Sequence, residues 1–127
     1  MDEKILDVDG DGSVTALGDG LMVIRKLFGA AFAGDKVTDK AISNSATRTT
    51  DEIHEFIQAG VDEKMLDVDG DGEVTALGDG LMVIRKLFGA AFDGVKLTDK
   101  AISNNATRST DEIHEYIDAM STVDNIA

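Results

Sequence analysis

Residues 1–60 and 61–120 align without a gap and differ at 11 of 60 positions. A chain of 127 residues built this way must fold one module twice. A period of 60 is longer than common solenoid units and reads as tandem duplication of a whole module. Sixty residues make a marginal core alone, so one compact domain holding both copies is the expectation. The densest pattern in each copy is Asp7-Val8-Asp9-Gly10-Asp11-Gly12-Ser13-Val14-Thr15, which returns as Asp67-Val68-Asp69-Gly70-Asp71-Gly72-Glu73-Val74-Thr75. Three carboxylates on alternate positions let a curled backbone turn all three toward one centre. A hard cation taking six to eight oxygen ligands needs that density. An acidic surface turn is the alternative, because Asp and Gly are common turn residues. A second copy in matching context weighs against it.

This pattern is the front half of a calcium loop of the EF-hand kind. Asp7, Asp9 and Asp11, and Asp67, Asp69 and Asp71, are the expected side-chain ligands. Gly12 and Gly72 fall where such a loop bends sharply. Ser13 and Glu73 are expected to ligate through backbone carbonyls, which lets that position differ between copies. The position that usually holds a bidentate Glu is Gly18 or Gly78 here. Asp19 and Asp79, one residue later, are read as the closing ligands of a longer loop. The loops are therefore 7–19 and 67–79, with one calcium ion each. Thr15 and Thr75 stand either where a ligand acts through water or as strand-like residues at the loop exit.

A loop followed by a helix, twice, with little entering helix, resembles the dockerin-type repeat of secreted bacterial and archaeal proteins. DVDGDGxV, an Asp near the loop end, and the apolar helix Leu21-Met22-Val23-Ile24-Arg25-Lys26-Leu27-Phe28 with its basic pair carry the resemblance. The repeat is also similar to a variant in large bacterial extracellular proteins, with a loop reading DVDGxGxxxALxDG. The resemblance implies an all-α, EF-hand-like fold with two loop–helix calcium sites under pseudo-twofold symmetry. A short loop–loop β bridge at Val14 and Val74 is expected as in paired EF-hands. It also implies an extracellular or cell-surface module, excised from a larger protein. The leading reading is a calcium-stabilised structural or interaction module contacting neighbouring domains. The runner-up is docking of a cohesin-like partner through Ala16-Leu17 or Ala76-Leu77, where dockerins often carry Ser-Thr. A calcium sensor or buffer is the third.

The principal helices are predicted at about 17–33 and 77–93, with Leu17, Leu21, Ile24, Phe28 and Ala31 at helical spacing. Met22, Val23, Leu27 and Phe32 widen that stripe, and Gly34 stops the helix. So apolar a helix needs burial on more than one side, and its equivalent in the other copy is the natural partner. Short helices are expected at 39–45 and 99–105. Thr49 with Glu52, and Ser109 with Glu112, are capping boxes that open helices at 50–59 and 110–119. Gly60 sits at the junction, where a helix end favours positive φ. His54 and His114 are read as surface residues rather than ligands. Residues 121–127 are a tail that begins no third copy.

Formal net charge is −13, which repels phosphates and argues against nucleic acid and anionic membranes. Two calcium ions would cancel four of those charges. There is no cysteine, so neither disulfides nor thiolate metals contribute. No signal peptide opens the chain and no run reaches transmembrane length. An enzyme is not expected: each histidine stands alone in its copy, no serine lies in a nucleophile-elbow pattern, and the carboxylates are better used as ligands. Asn105-Ala106-Thr107 formally matches a glycosylation acceptor, in one copy only. Monomer and dimer both stay open at this point.

Overall fold

Each copy begins with an irregular acidic loop that runs into a π turn, Ala16–Gly20 or Ala76–Gly80. The computed structural model describes residues 5–122. The π turn leads directly into α1 (Leu21–Phe28) or its counterpart α3 (Leu81–Phe88). Gly29 ends α1 at φ 88°, a left-handed value that side chains resist. Two 3₁₀ turns follow, Gly29–Phe32 and Gly34–Lys36. A run of turns then leads to α2 (Thr50–Asp62) or α4 (Thr110–Thr122). The described residues are thus helical and contain no strand.

The capping boxes form as read. Thr49 Oγ1 accepts from the Glu52 amide at 3.2 Å, and Glu52 Oε1 accepts from the Thr49 amide at 2.8 Å. Ser109 and Glu112 repeat both bonds at the same distances. The predicted helices at 39–45 and 99–105 do not form. Lys40 and Lys100 adopt φ 60° and 61°, which breaks a right-handed helix. In addition, the Ser43 amide donates to Asp9 Oδ2 instead of continuing a helical ladder. Gly60 also differs from its reading. α2 runs past it to Asp62, and Lys64 takes the left-handed turn at φ 62°. Gly60 is small for packing: a Cβ there would lie 3.3 Å from Leu66 Cδ1. The last helix likewise reaches Thr122, two residues into the expected tail; residues 123–127 lie outside the described residues.

The principal helix is shorter than predicted and its buried face is rotated. Met22 and Val23 are buried, whereas Leu17 is 63% and Phe28 49% exposed. For Leu17 the cause is the π turn, which takes one residue more than an α turn. That shifts the residues before Leu21 out of phase with those after it, so the spacing of Leu17 to Leu21 no longer marks one face.

Both copies contribute to one apolar cluster, with Met22, Val23 and Ile53 from the first and Met82, Val83 and Ile113 from the second. α1 and α3 pack antiparallel. A Cβ on Gly20 would lie 3.1 Å from Ile84 Cγ1 and 3.3 Å from Leu87 Cδ1, and one on Gly80 would meet Ile24 and Leu27 in the same way. The start of each helix therefore rests on the far half of the other. The copies also close on each other through the backbone. The Leu66 amide donates to the Gly60 carbonyl at 3.2 Å, and the Leu6 amide to the Met120 carbonyl at 3.1 Å. The expected β bridge at Val14 and Val74 is not formed among the described residues. The amides flanking Val14 go to carboxylates instead, Ser13 to Asp11 and Thr15 to Asp19. Val14 and Val74 pack against the core as half-buried side chains.

Gly20→Val tests the close helix approach. Overpacking a contact of this kind costs about 1–3 kcal/mol, so urea unfolding is expected to show a loss of that size. Gly80→Val should match it.

Candidate metal centre

The loop curls because its own carboxylates capture its amides. Asp7 Oδ2 accepts from the Gly12 amide at 2.9 Å and Oδ1 from the Asp11 amide at 3.2 Å. Asp9 Oδ1 accepts from the Asp11 amide at 3.3 Å, and Asp11 Oδ1 from the Ser13 amide at 2.9 Å. Gly10 and Gly12 turn the chain at φ 72° and 91°. The second loop repeats this set on Asp67, Asp69 and Asp71.

Asp19 closes the loop. Its Oδ1 accepts from the Val8 amide at 2.8 Å and its Oδ2 from the Thr15 amide at 3.0 Å, so one carboxylate ties the loop's start to its end. Asp79 does the same with Val68 at 2.7 Å and Thr75 at 3.0 Å. The π turn makes this reach possible. The Gly20 amide bonds to the Thr15 carbonyl, five residues back, at 3.0 Å. The wider turn absorbs the one residue by which the loop exceeds the standard length. Thr15 Oγ1 accepts from the Gly18 amide at 3.1 Å, which makes it the cap of that turn rather than a strand residue.

The result is one group of four carboxylates per copy, Asp7, Asp9, Asp11 and Asp19, and Asp67, Asp69, Asp71 and Asp79. One oxygen from each lies within 4.8 Å of the others. Asp9, Asp19, Asp69 and Asp79 are each only 2% exposed. Ser13 and Glu73 lie on the exposed rim beside these groups. Amides satisfy the carboxylates' hydrogen bonds without cancelling their charge. Burial pushes the Asp19 carboxyl up to about 7, with the Asp9 and Asp7 charges adding to it against the amide bonds. Asp79 is pushed up to about 6, again mainly by burial, with Asp69 and Asp67 adding. Burial also raises Asp7 and Asp69. The donor set fits a hard divalent ion: oxygen only, four carboxylates, and a ring able to supply six to eight ligand atoms. His54 and His114 take no part; each ring Nε2 lies 3.0 Å from a carbonyl, of Gly34 and Gly94.

A segment that the sequence did not flag braces each loop from outside. The Ser43 amide donates to Asp9 Oδ2 at 2.9 Å. The Thr47 and Arg48 amides both donate to the Asp9 carbonyl, at 2.9 and 3.1 Å. Thr47 Oγ1 donates to the Gly10 carbonyl at 2.8 Å. Arg48 Nη1 donates to the Asp7 carbonyl at 2.7 Å and the Val8 carbonyl at 3.2 Å. Ser103, Thr107 and Arg108 repeat every one of these contacts on the second loop. The available signal was SNxATR, present in both copies, but it has no hydrophobic period and no ligand spacing to mark it.

In chelator, the raised Asp19 and Asp79 carboxyls hold protons that the unfolded chain releases near the ordinary carboxylate value of 3.8. Stability of the ion-free fold is therefore expected to fall as pH rises from about 4 to about 7. Melting at pH 5 and pH 8 checks this, and the higher midpoint should be at pH 5.

The family model described as the dockerin type I domain matches residues 5–88. The match opens two residues before Asp7 and ends at the last residue of α3, so it takes in both loops and both principal helices. No curated protein and no solved structure matches the chain significantly.

Proposed function

The chain belongs to the dockerin type I family, a family of tandem EF-hand-like calcium-binding interaction modules, and from that premise we propose that it is a calcium-stabilised docking module of a larger exported bacterial protein. The observation that carries this reading is the four-carboxylate group formed twice, each closed by an aspartate on a π turn. Asp7, Asp9, Asp11 and Asp19 hold one ion, with the Ser13 carbonyl. Asp67, Asp69, Asp71 and Asp79 hold the second, with the Glu73 carbonyl. Both repeats act as one domain, a reading supported by their shared core.

Calcium supplies the positive charge that the loop lacks. Its binding free energy then appears as folding free energy. At free calcium roughly 100 times the dissociation constant, each site adds about 2.7 kcal/mol. Against a total stability of about 5–15 kcal/mol, two sites decide whether the module holds together. The module is then firm where calcium is plentiful and loose where it is scarce. Among the described residues no helix is long and apolar enough to cross a membrane, and members of the family are non-catalytic modules. The proposed partner is a cohesin-like domain. Leu17 and Leu77, each beside the loop-end alanine, are 63% and 62% exposed. They give two near-identical apolar contact points on one surface type.

Calorimetry on chelator-stripped protein tests the ion assignment. Two calcium ions per chain are expected, one with Asp19→Asn, and none with Asp19→Asn and Asp79→Asn together. Unchanged stoichiometry in the single variant would remove Asp19 from the ligand set. For the partner, Leu17→Asp with Leu77→Asp is expected to abolish capture by cohesin domains while both ions still bind.

A further inference from the structure

The strap that crosses each loop reaches it from far along the chain, and its contacts are concentrated on one side. The Asp7, Val8, Asp9 and Gly10 carbonyls all accept from Thr47 or Arg48. The fit is close enough that a Cβ on Gly10 would collide with Thr47 Oγ1. The arginine is the pivot. Arg48 Cζ sits 3.9 Å over the Phe56 ring of α2, and Arg108 Cζ sits 3.9 Å over the Tyr116 ring of α4. Such stacking holds a guanidinium in place as well as attracting it. Each arginine therefore joins a helix outside the loop to the backbone of the first loop aspartate.

We propose that Arg48 and Arg108 are positioning residues that set the calcium affinity of loops 7–19 and 67–79, by holding the backbone carbonyls of Asp7-Val8 and Asp67-Val68. This rests on the calcium reading above. The chemistry is direct. Nη1 donates to main-chain carbonyls, so at that atom the guanidinium occupies no ligand oxygen. The fixed backbone keeps the carboxylates of Asp7 and Asp9 aimed at the centre, which lowers the ordering cost of binding. Thr49 and Ser109, the residues next to these arginines, cap α2 and α4. Occupancy of a loop is thereby felt at the helix that follows its strap.

The duplication supplies an internal control. In Arg108→Met, calcium is titrated while NMR follows the amides of Gly12 and Gly72, one in each loop. Outer partners of metal ligands typically contribute 10–100-fold in affinity. The dissociation constant at Gly72 is expected to weaken by roughly that factor, and Gly12 should keep its wild-type value. A merely structural arginine would lower the melting temperature and leave the Gly72 constant at its wild-type value. An unchanged Gly72 constant in the variant overturns the proposal. If Arg108→Met does not fold, Arg108→Lys decides. It keeps the charge but not the planar fork, so a smaller loss at Gly72 is expected, and an unchanged constant overturns the proposal. If neither glycine of the wild-type protein responds to calcium, the calcium reading itself fails, and this inference with it.

Discussion

Four carboxylates driven into one small space dominate this molecule. Two like charges about 4 Å apart repel by about 4 kcal/mol at an effective dielectric of about 20. A fully ionised group of four has several such pairs, enough to outweigh a typical domain's entire stability of about 5–15 kcal/mol. The fold responds in two ways. Amides of the loop cover the carboxylate oxygens, and the loop-closing member, Asp19 or Asp79, is held partly protonated near neutral pH. Neither cancels the negative charge that the group carries. The helices, the core and the straps can be understood as a frame that keeps this unfavourable arrangement assembled.

The frame is a symmetric one. Each π turn delivers its closing aspartate and in the same step starts the principal helix. Gly20 and Gly80, the last residues of those turns, are also where each copy packs tightly against the principal helix of the other. Site closure and contact between the copies thus share the same residues. Arg25 and Arg85 extend the frame outward by donating to the carbonyls of Lys36, Val37 and Asp39, and of Lys96, Leu97 and Asp99. The straps return the chain to the loop it left. The 60-residue repeat is longer than a bare loop and helix because it carries this brace.

The clustered aspartates and the capping boxes were legible because each depends on local spacing. Asp7, Asp9 and Asp11 alternate, and Thr49 stands three residues before Glu52. Asp19 was legible as the next carboxylate after the usual closing position, although the turn that brings it in was not. A π turn has no residue signature in ALGDG, and missing it placed Leu17 on one helical face with Leu21. The strap was invisible for a different reason. Ser43, Thr47 and Arg48 act mostly through backbone amides and carbonyls over 34 to 41 residues, and such contacts leave no periodic trace. The absent helix at 39–45 follows from the same tertiary demand, since the strap needs Lys40 in a left-handed turn and the Ser43 amide on Asp9. Gly60 misled because glycine at a repeat junction suggests a turn, whereas its small size serves packing against Leu66.

The central claim is that the buried carboxylate groups limit this fold until calcium neutralises them. The most direct test is thermal unfolding at pH 7.5, comparing chelator with saturating calcium. With two sites each adding a few kcal/mol, the midpoint is expected to rise by about 10 °C or more. Equal midpoints in chelator and in calcium would contradict the claim and leave the two buried acidic groups without an ion to hold.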